Sequence, residues 1–138
     1  ETMVVGNDEH VLASKDTIYK NVKSFIKNEN VNLLLPGKLP GEIEITDITH
    51  VKYDNTIYVG FNSDISSFVI YLGEAIPQII KDTSNKYETS NKLLCYIERL
   101  DDVGIVQMHF DHNGNHYTIS GTSEQILLDI IENLEEYK

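Results

Sequence analysis

The segment MHFDHNGNHYTIS leaves the chain few structural choices, because two runs of alternating residues flank the pair Asn113-Gly114. Both residues of that pair accept the positive φ angles of a two-residue hairpin turn, and such a turn joins only antiparallel strands. With Asn113 and Gly114 at its centre, His112 lies opposite Asn115 and Asp111 lies opposite His116. The segment therefore predicts an antiparallel strand pair of fixed register.

Further strands are predicted on both sides of this hairpin. Four segments combine alternating apolar residues with turn residues at their ends: EIEITDITHVKY, TIYVGF, SSFVIYLG and KLLCYIERL. Ile48 interrupts the alternation of the first segment, which predicts a β-bulge or a partly covered second face. Because only short turns separate these segments along the chain, antiparallel pairing is favoured. The segment EAIPQIIKD fits either a short helix starting near Pro77 or an edge strand.

Two amphipathic helices are predicted at the ends of the chain. The first begins at Ser14 and has an apolar stripe formed by Ile18, Val22, Phe25 and Ile26. The second has a stripe formed by Ile126, Leu127, Ile130, Ile131 and Leu134. The predicted fold class is α+β, with a single antiparallel β-sheet of about five to seven strands covered by these two helices. Residues 1–12 are predicted as a loose N-terminal arm, and residues 13–138 as one domain.

Composition excludes several functional classes. The 138-residue chain has a net charge of −11, whereas nucleic-acid binding requires a basic footprint. No run approaches the roughly 18 apolar residues of a membrane span, so this chain is predicted to contain none. Because the sequence starts at Glu1 rather than methionine, we interpret it as a processed or excised piece that lacks an N-terminal segment, in which a membrane anchor or a partner domain is expected. The single cysteine, Cys95, lies in an apolar run and is predicted to be a buried small hydrophobe.

The predicted hairpin contains the candidate metal ligands. His109 and Asp111 share strand parity, and Asp111 is opposite His116, so His109, Asp111 and His116 are predicted to converge on one face. Three nitrogen or oxygen ligands are the minimum for a zinc-like site. The alternative is a structural Asp–His pair without metal, since a hairpin tip offers little second-shell support.

A second candidate surface lies on the strand predicted over residues 42–53. The residues on its predicted polar face are Glu42, Glu44, His50 and Lys52. We predict that they contact a protein partner or ligand.

No catalytic residue and no cofactor are predicted. The chain lacks a GxSxG elbow, a Walker loop and a dinucleotide-binding glycine fingerprint. Cys95 lies within a predicted strand, where nothing activates the thiol. The sequence therefore predicts a protein that is not an enzyme.

Two blocks of the sequence resemble a known family. They are LLLPGKLPGEIEITDITHVKYDNTIYVGFNS and VQMHFDHNGNHYTISGTSEQILLDIIENL, within residues 33–135. They resemble a domain of unknown function at the extracytoplasmic C-terminus of Gram-positive anti-sigma factors and related lipoproteins. The resemblance implies an extracytoplasmic location, through a membrane anchor or a lipoprotein form, and a sensory or regulatory role. A cytoplasmic location is also compatible with the single cysteine.

These observations favour a non-enzymatic extracytoplasmic domain that binds an unknown protein or small-molecule ligand and regulates an attached membrane anchor or anti-sigma module. Two alternatives stay open. One is a metal-binding domain that uses the His/Asp hairpin residues. The other is a lipid or small-molecule carrier whose sheet curves around an apolar cavity.

Overall fold

Antiparallel sheet dominates the computed structural model, which describes residues 16–63 and 65–137. Of these described residues, 47% lie in strands and 19% in helices. The elements are β1 (Thr17–Tyr19), α1 (Val22–Glu29), β2 (Leu33–Pro36), β3 (Ile45–Val51), β4 (Thr56–Phe61), β5 (Ile65–Tyr71), α2 (Gln78–Thr83), β6 (Asn85–Glu88), β7 (Leu94–Leu100), β8 (Ile105–His112), β9 (Asn115–Gly121), α3 (Glu124–Glu132) and β10 (Leu134–Tyr137). The predicted arm at residues 1–12 lies outside the described residues.

The α+β prediction of five to seven strands covered by two helices is wrong. The described residues form one eight-stranded antiparallel sheet, in the order β1-β3-β4-β5-β9-β8-β7-β6, and a two-stranded sheet of β2 and β10. In the described part of the chain, only three short helices accompany these sheets. The extra strands β1, β2, β6 and β10 are three or four residues long and gain their stability from pairing with a neighbour, so local sequence period does not reveal them.

The hairpin prediction is confirmed. Asn113 and Gly114 adopt φ angles of 52° and 77°. Asp111 pairs with His116, and His112 pairs with Asn115. Because side chains alternate along each strand, this register decides which residues of β8 and β9 face the core.

The hydrophobic core lies on one face of the large sheet. The central strands contribute Ile48, Ile57, Phe68, Ile70, Met108, Phe110, Tyr117 and Ile119. Opposite them pack Phe25 of α1, Leu33–Leu35 of β2, Leu134 of β10, and Leu127, Ile130 and Ile131 of α3. The layer that covers the sheet is therefore built by the β2–β10 pair as well as by α1 and α3.

The N-terminal helix is shorter than predicted. It begins after Asn21, whose Oδ1 accepts a hydrogen bond of 2.8 Å from the backbone N–H of Ser24, and it ends at Asn30, which has a φ of 54°. Ile18, assigned by sequence to the apolar stripe, lies instead in β1, where its side chain is 57% exposed. The predicted start at Ser14 is outside the described residues. Pairing of residues 17–19 with β3 overrides the helical period of this segment.

Strand β3 contains the predicted bulge. Its register with β4 shifts between Ile45 and Asp47. Beyond the bulge, Ile48 and His50 are both buried on the core face, which explains why Ile48 departs from the alternation seen in the sequence.

One long-range hydrogen bond fastens β2 to the sheet. The hydroxyl of the fully buried Tyr117 accepts a hydrogen bond of 3.0 Å from the backbone N–H of Leu34.

We expect Tyr117→Phe to lower the free energy of unfolding by about 1–3 kcal/mol, because it leaves a buried N–H without an acceptor. Urea unfolding followed by circular dichroism measures this, with Tyr58→Phe at an exposed position as the control. Equal effects of the two variants would contradict the expectation.

Candidate functional site

Three buried polar side chains lie on the face of the large sheet that is opposite the core. Met108, Phe110, Tyr117 and Ile119 face the core, so the intervening residues His109, His116 and Thr118 face outward. Even so, His109 and His116 are only 4% and 7% exposed, and Thr118 is also buried. Outward-facing polar side chains of a sheet are normally in contact with water, so their burial marks this part of the surface as unusual.

The three side chains hydrogen-bond to one another. His109 Nδ1 lies 3.0 Å from His116 Nε2, and Thr118 Oγ1 lies 3.2 Å and 3.1 Å from these two nitrogens. Three polar atoms therefore form a nearly equilateral triangle. Buried polar groups are costly unless they are paired, and this triangle provides the pairing.

Glu98 on β7 determines the orientation of the His109 ring. Its Oε1 lies 2.7 Å from His109 Nε2. An ionised carboxylate only accepts hydrogen bonds, so the Nε2–H of His109 donates to it. When the ring is neutral, the His109 Nδ1 lone pair then points towards His116, whose Nε2–H donates to it.

A polar cavity of about 330 Å³ lies above these residues, and we call it the histidine pocket. Its floor is the sheet, and its opposite wall consists of α2 and the segment that precedes it. The lining residues are Tyr71, Glu74, Ala75, Pro77, Ile80, Gln107, His109, His116 and Thr118. Helix α2, one of the two alternatives predicted for this segment, therefore turns part of an open sheet face into a concave site.

Burial keeps the His116 ring neutral at pH 7. It lowers the pKa of His116 to about 4, and the nearby His109 ring acts in the same direction, whereas Asp111 opposes it. A neutral imidazole offers a polar ligand one donor and one acceptor nitrogen, and it offers a metal ion one nitrogen lone pair.

Only two of the three predicted metal ligands meet. His109 and His116 are in contact, but the side chain of Asp111 is exposed and has no hydrogen bond to either ring among the described residues. In residues 16–63 and 65–137, no three His, Cys, Asp or Glu side chains are arranged to hold a metal ion. The three-ligand set is therefore not assembled, and Glu98 and Thr118, which sequence reasoning did not include, surround the histidines instead.

The four residues predicted as a partner surface do not share one strand face. Glu42 and Glu44 precede β3 and are exposed, and Lys52 lies in the turn that follows it. His50 is buried on the core face, where its Nδ1 lies 2.9 Å from Glu29 Oε1 and its Nε2 lies 3.2 Å from Asn55 Oδ1. The β-bulge explains the difference, because it changes the face on which the residues after Ile45 lie.

A second cavity, of about 240 Å³, lies between the beginning of α3 and the residues around β5. Its apolar lining includes Ile43, Ile65, Ile126 and Leu127. Ligand pockets usually measure about 300–1,000 Å³, so this cavity offers little room for a lipid chain. The carrier alternative therefore gains less support from the structure than a ligand in the histidine pocket.

Thr118, His109 and Glu98 are hydrogen-bonded in the order of a catalytic triad, which consists of a hydroxyl nucleophile, a histidine base and a carboxylate that orients the histidine. Catalysis of acyl transfer also needs N–H donors aimed at the developing oxyanion. Thr118 lies within two strand ladders, opposite Val69 of β5 and His109 of β8, so the backbone N–H groups around it are used in the sheet.

The thiol of Cys95 is buried, and burial raises its pKa to about 12, which leaves it protonated and unreactive.

Comparisons with known proteins add no assignment. The chain matches no protein-family model, no curated protein and no solved structure. Among the helices of the described part of the chain, none has the length and apolar composition needed to cross a bilayer.

Proposed function

We propose that this protein is a non-enzymatic binding domain whose ligand is a small polar molecule or ion held in the histidine pocket. The observation that carries the proposal is the triangle of buried polar atoms on the floor of that cavity. Its volume of about 330 Å³ lies within the usual range of ligand pockets.

The energetic cost of the arrangement supports this proposal. Apolar side chains under α2 would cover the sheet without the desolvation penalty of two imidazoles and a hydroxyl. The described residues leave His116 Nδ1 without a hydrogen-bond partner, whereas its Nε2 is paired. The His116 ring therefore has one nitrogen free for a ligand, and the polar side chains of Gln107 and Glu74 line the same pocket.

The weak attachment of α2 supports a regulatory role. The helix has six residues, and none of them is buried. A segment with so little buried apolar surface opens at low cost in free energy. A ligand that contacts both the sheet and α2 would favour the closed arrangement and so shift the population of conformations.

We further propose that the domain acts outside the cytoplasmic membrane, attached to a membrane anchor or an anti-sigma module. This part rests on the family resemblance of residues 33–135. Protease treatment of intact cells tests it, with a cytoplasmic protein as the control. Protection of the domain until the cells are lysed would contradict an extracytoplasmic location.

Binding in the histidine pocket is testable by nuclear magnetic resonance with a library of small polar molecules. We expect ligands to shift the backbone amide signals of residues 71–80 and 107–118. Thr118→Val, which removes one hydroxyl at nearly constant volume, should weaken binding by about 3–10-fold, the effect of one lost hydrogen bond.

Thr49→Val is the matched control, because it makes the same change on the same sheet face but outside the pocket. It should leave the affinity unchanged. A library without ligands, or ligands that shift only residues 121–127 beside the apolar cavity, would contradict the proposal.

A further inference from the structure

We propose that the histidine pocket binds a divalent transition-metal ion, with His109 Nδ1 and His116 Nε2 as the two protein ligands. This inference rests on the proposed function and names the chemical class of the ligand. The pair differs from the set predicted from sequence, because Asp111 takes no part and Glu98 has a defined role.

The distance between the two nitrogens suits a shared metal ion. A tetrahedral zinc ion holds each imidazole nitrogen at about 2.0–2.1 Å, which places two such nitrogens about 3.3 Å apart. His109 Nδ1 and His116 Nε2 are 3.0 Å apart. The two nitrogens therefore need to separate by only a few tenths of an ångström to hold the same metal ion.

Glu98 supplies the second shell that metal-binding histidines usually have. A ligating histidine commonly donates its other ring N–H to a carboxylate, which fixes the tautomer and increases the electron density on the ligating nitrogen. Glu98 Oε1, at 2.7 Å from His109 Nε2, makes this contact. It directs the His109 Nδ1 lone pair towards His116, whose Nε2–H donates to it in the absence of a metal ion. A metal ion would take the place of that proton, which can move to the unpaired Nδ1 of His116.

The coordination is open rather than closed. Two protein nitrogens leave at least two positions of a tetrahedral ion for water or for a small ligand in the cavity. Thr118 Oγ1 is within 3.2 Å of both nitrogens, where it can hydrogen-bond to a molecule on the metal. Imidazole ligands suit Zn²⁺, Cu²⁺ and Ni²⁺, whereas Ca²⁺ and Mg²⁺ prefer oxygen. We therefore expect an exchangeable metal rather than a structural one.

Isothermal titration calorimetry with zinc chloride tests this site in the full chain after chelator treatment. The wild type should bind one equivalent at the pocket, and His116→Ala should lose that binding. Glu98→Gln, which preserves shape but removes the carboxylate charge, should weaken it by about 10–100-fold. His112→Ala, a histidine of the same hairpin outside the pocket, is the matched control and should bind as the wild type does.

A second measurement uses only the wild type, so its result does not depend on whether a variant folds. Nitrogen resonances of the imidazole rings of the wild type should shift at His109 Nδ1 and His116 Nε2 when zinc is added. Absence of zinc binding, or binding that His116→Ala retains, would overturn the metal inference. If small polar molecules still bind in the pocket, the proposed function survives that outcome; if nothing binds there, both fail.

Discussion

Replacing Glu29 with alanine should lower the free energy of unfolding by about 3 kcal/mol, since it removes a buried charge from a network that joins three elements. Glu29 is the last residue of α1, and its side chain is 6% exposed. Its Oε2 accepts a short hydrogen bond from Tyr19 of β1, and its Oε1 lies 2.9 Å from His50 of β3. Without the carboxylate, the Tyr19 hydroxyl and the His50 Nδ1 would lose the hydrogen-bond partner that they share.

The direction of two pKa shifts agrees with this role. Burial opposes ionisation of Glu29, but hydrogen bonds from Tyr19 and His50 outweigh it and lower the pKa of this carboxyl group. Burial and the bond to Glu29 raise the pKa of Tyr19 to about 12. The ionised carboxylate and the neutral phenol are therefore the stable pair in the folded protein.

Urea unfolding at neutral pH measures the effect. Glu29→Gln retains the shape of the side chain and a hydrogen-bond acceptor for Tyr19, so its free energy of unfolding should fall by only about 1 kcal/mol. The difference between the two variants separates the contribution of the charge from that of packing. Lys52→Ala is a useful control, because the Lys52 side chain is largely exposed and its contact with Glu29 Oε1 is 3.4 Å long. A loss below about 1 kcal/mol for Glu29→Ala would show that the network adds little to stability.

Sequence patterns predicted those parts of the fold that depend on local chemistry. Asn113-Gly114 fixed one hairpin with its register, and the irregular position of Ile48 indicated the bulge in β3. The patterns failed where pairing partners decide the structure. Residues 17–19 have a helical period but pair with β3, and Asn85–Glu88 is polar yet forms the edge strand β6. Non-local pairing of this kind leaves no periodic trace in a single sequence.

The same division applies to the candidate site. His109 and His116 were identified because a hairpin places them on one face. Glu98 has the outward parity of β7, but nothing in the sequence states that β7 pairs with β8 in the register that brings Glu98 to His109. The position of α2 over this face is likewise set by tertiary packing, so two histidines near a hairpin tip, which looked exposed, lie on the floor of a pocket.

Acid should destabilise the protein well above the pH at which carboxylates titrate, and His116 is the reason. In the unfolded chain His116 has its ordinary pKa of 6.5, whereas burial lowers the pKa to about 4 in the folded state. Below pH 6.5 the unfolded state therefore binds a proton that the folded state excludes. The stability is fully present above pH 6.5 and is lost as the pH falls towards 4.

The expected size is at most about 3 kcal/mol, because each unit of pKa difference corresponds to about 1.4 kcal/mol and solvent in the pocket screens part of it. The titratable groups around His116 lie on the neighbouring strands and on the segment before α2. They are Tyr71, Glu74, Glu98, His109 and Asp111. Glu29, Glu124 and Glu132 have pKa values lowered from 4.5, so the stability that they provide is lost below this window.

Urea unfolding of the chelator-treated protein between about pH 7.5 and pH 4.5 measures the loss, and His116→Gln isolates it. The glutamine variant retains polar atoms in the pocket but takes up no proton, so its stability should change far less over the same interval. His112→Gln, at a less buried position of the same hairpin, should follow the wild type. If the wild type and His116→Gln lose stability in parallel, the proton that destabilises the fold binds elsewhere, and His116 is not what limits the stability of the protein in acid.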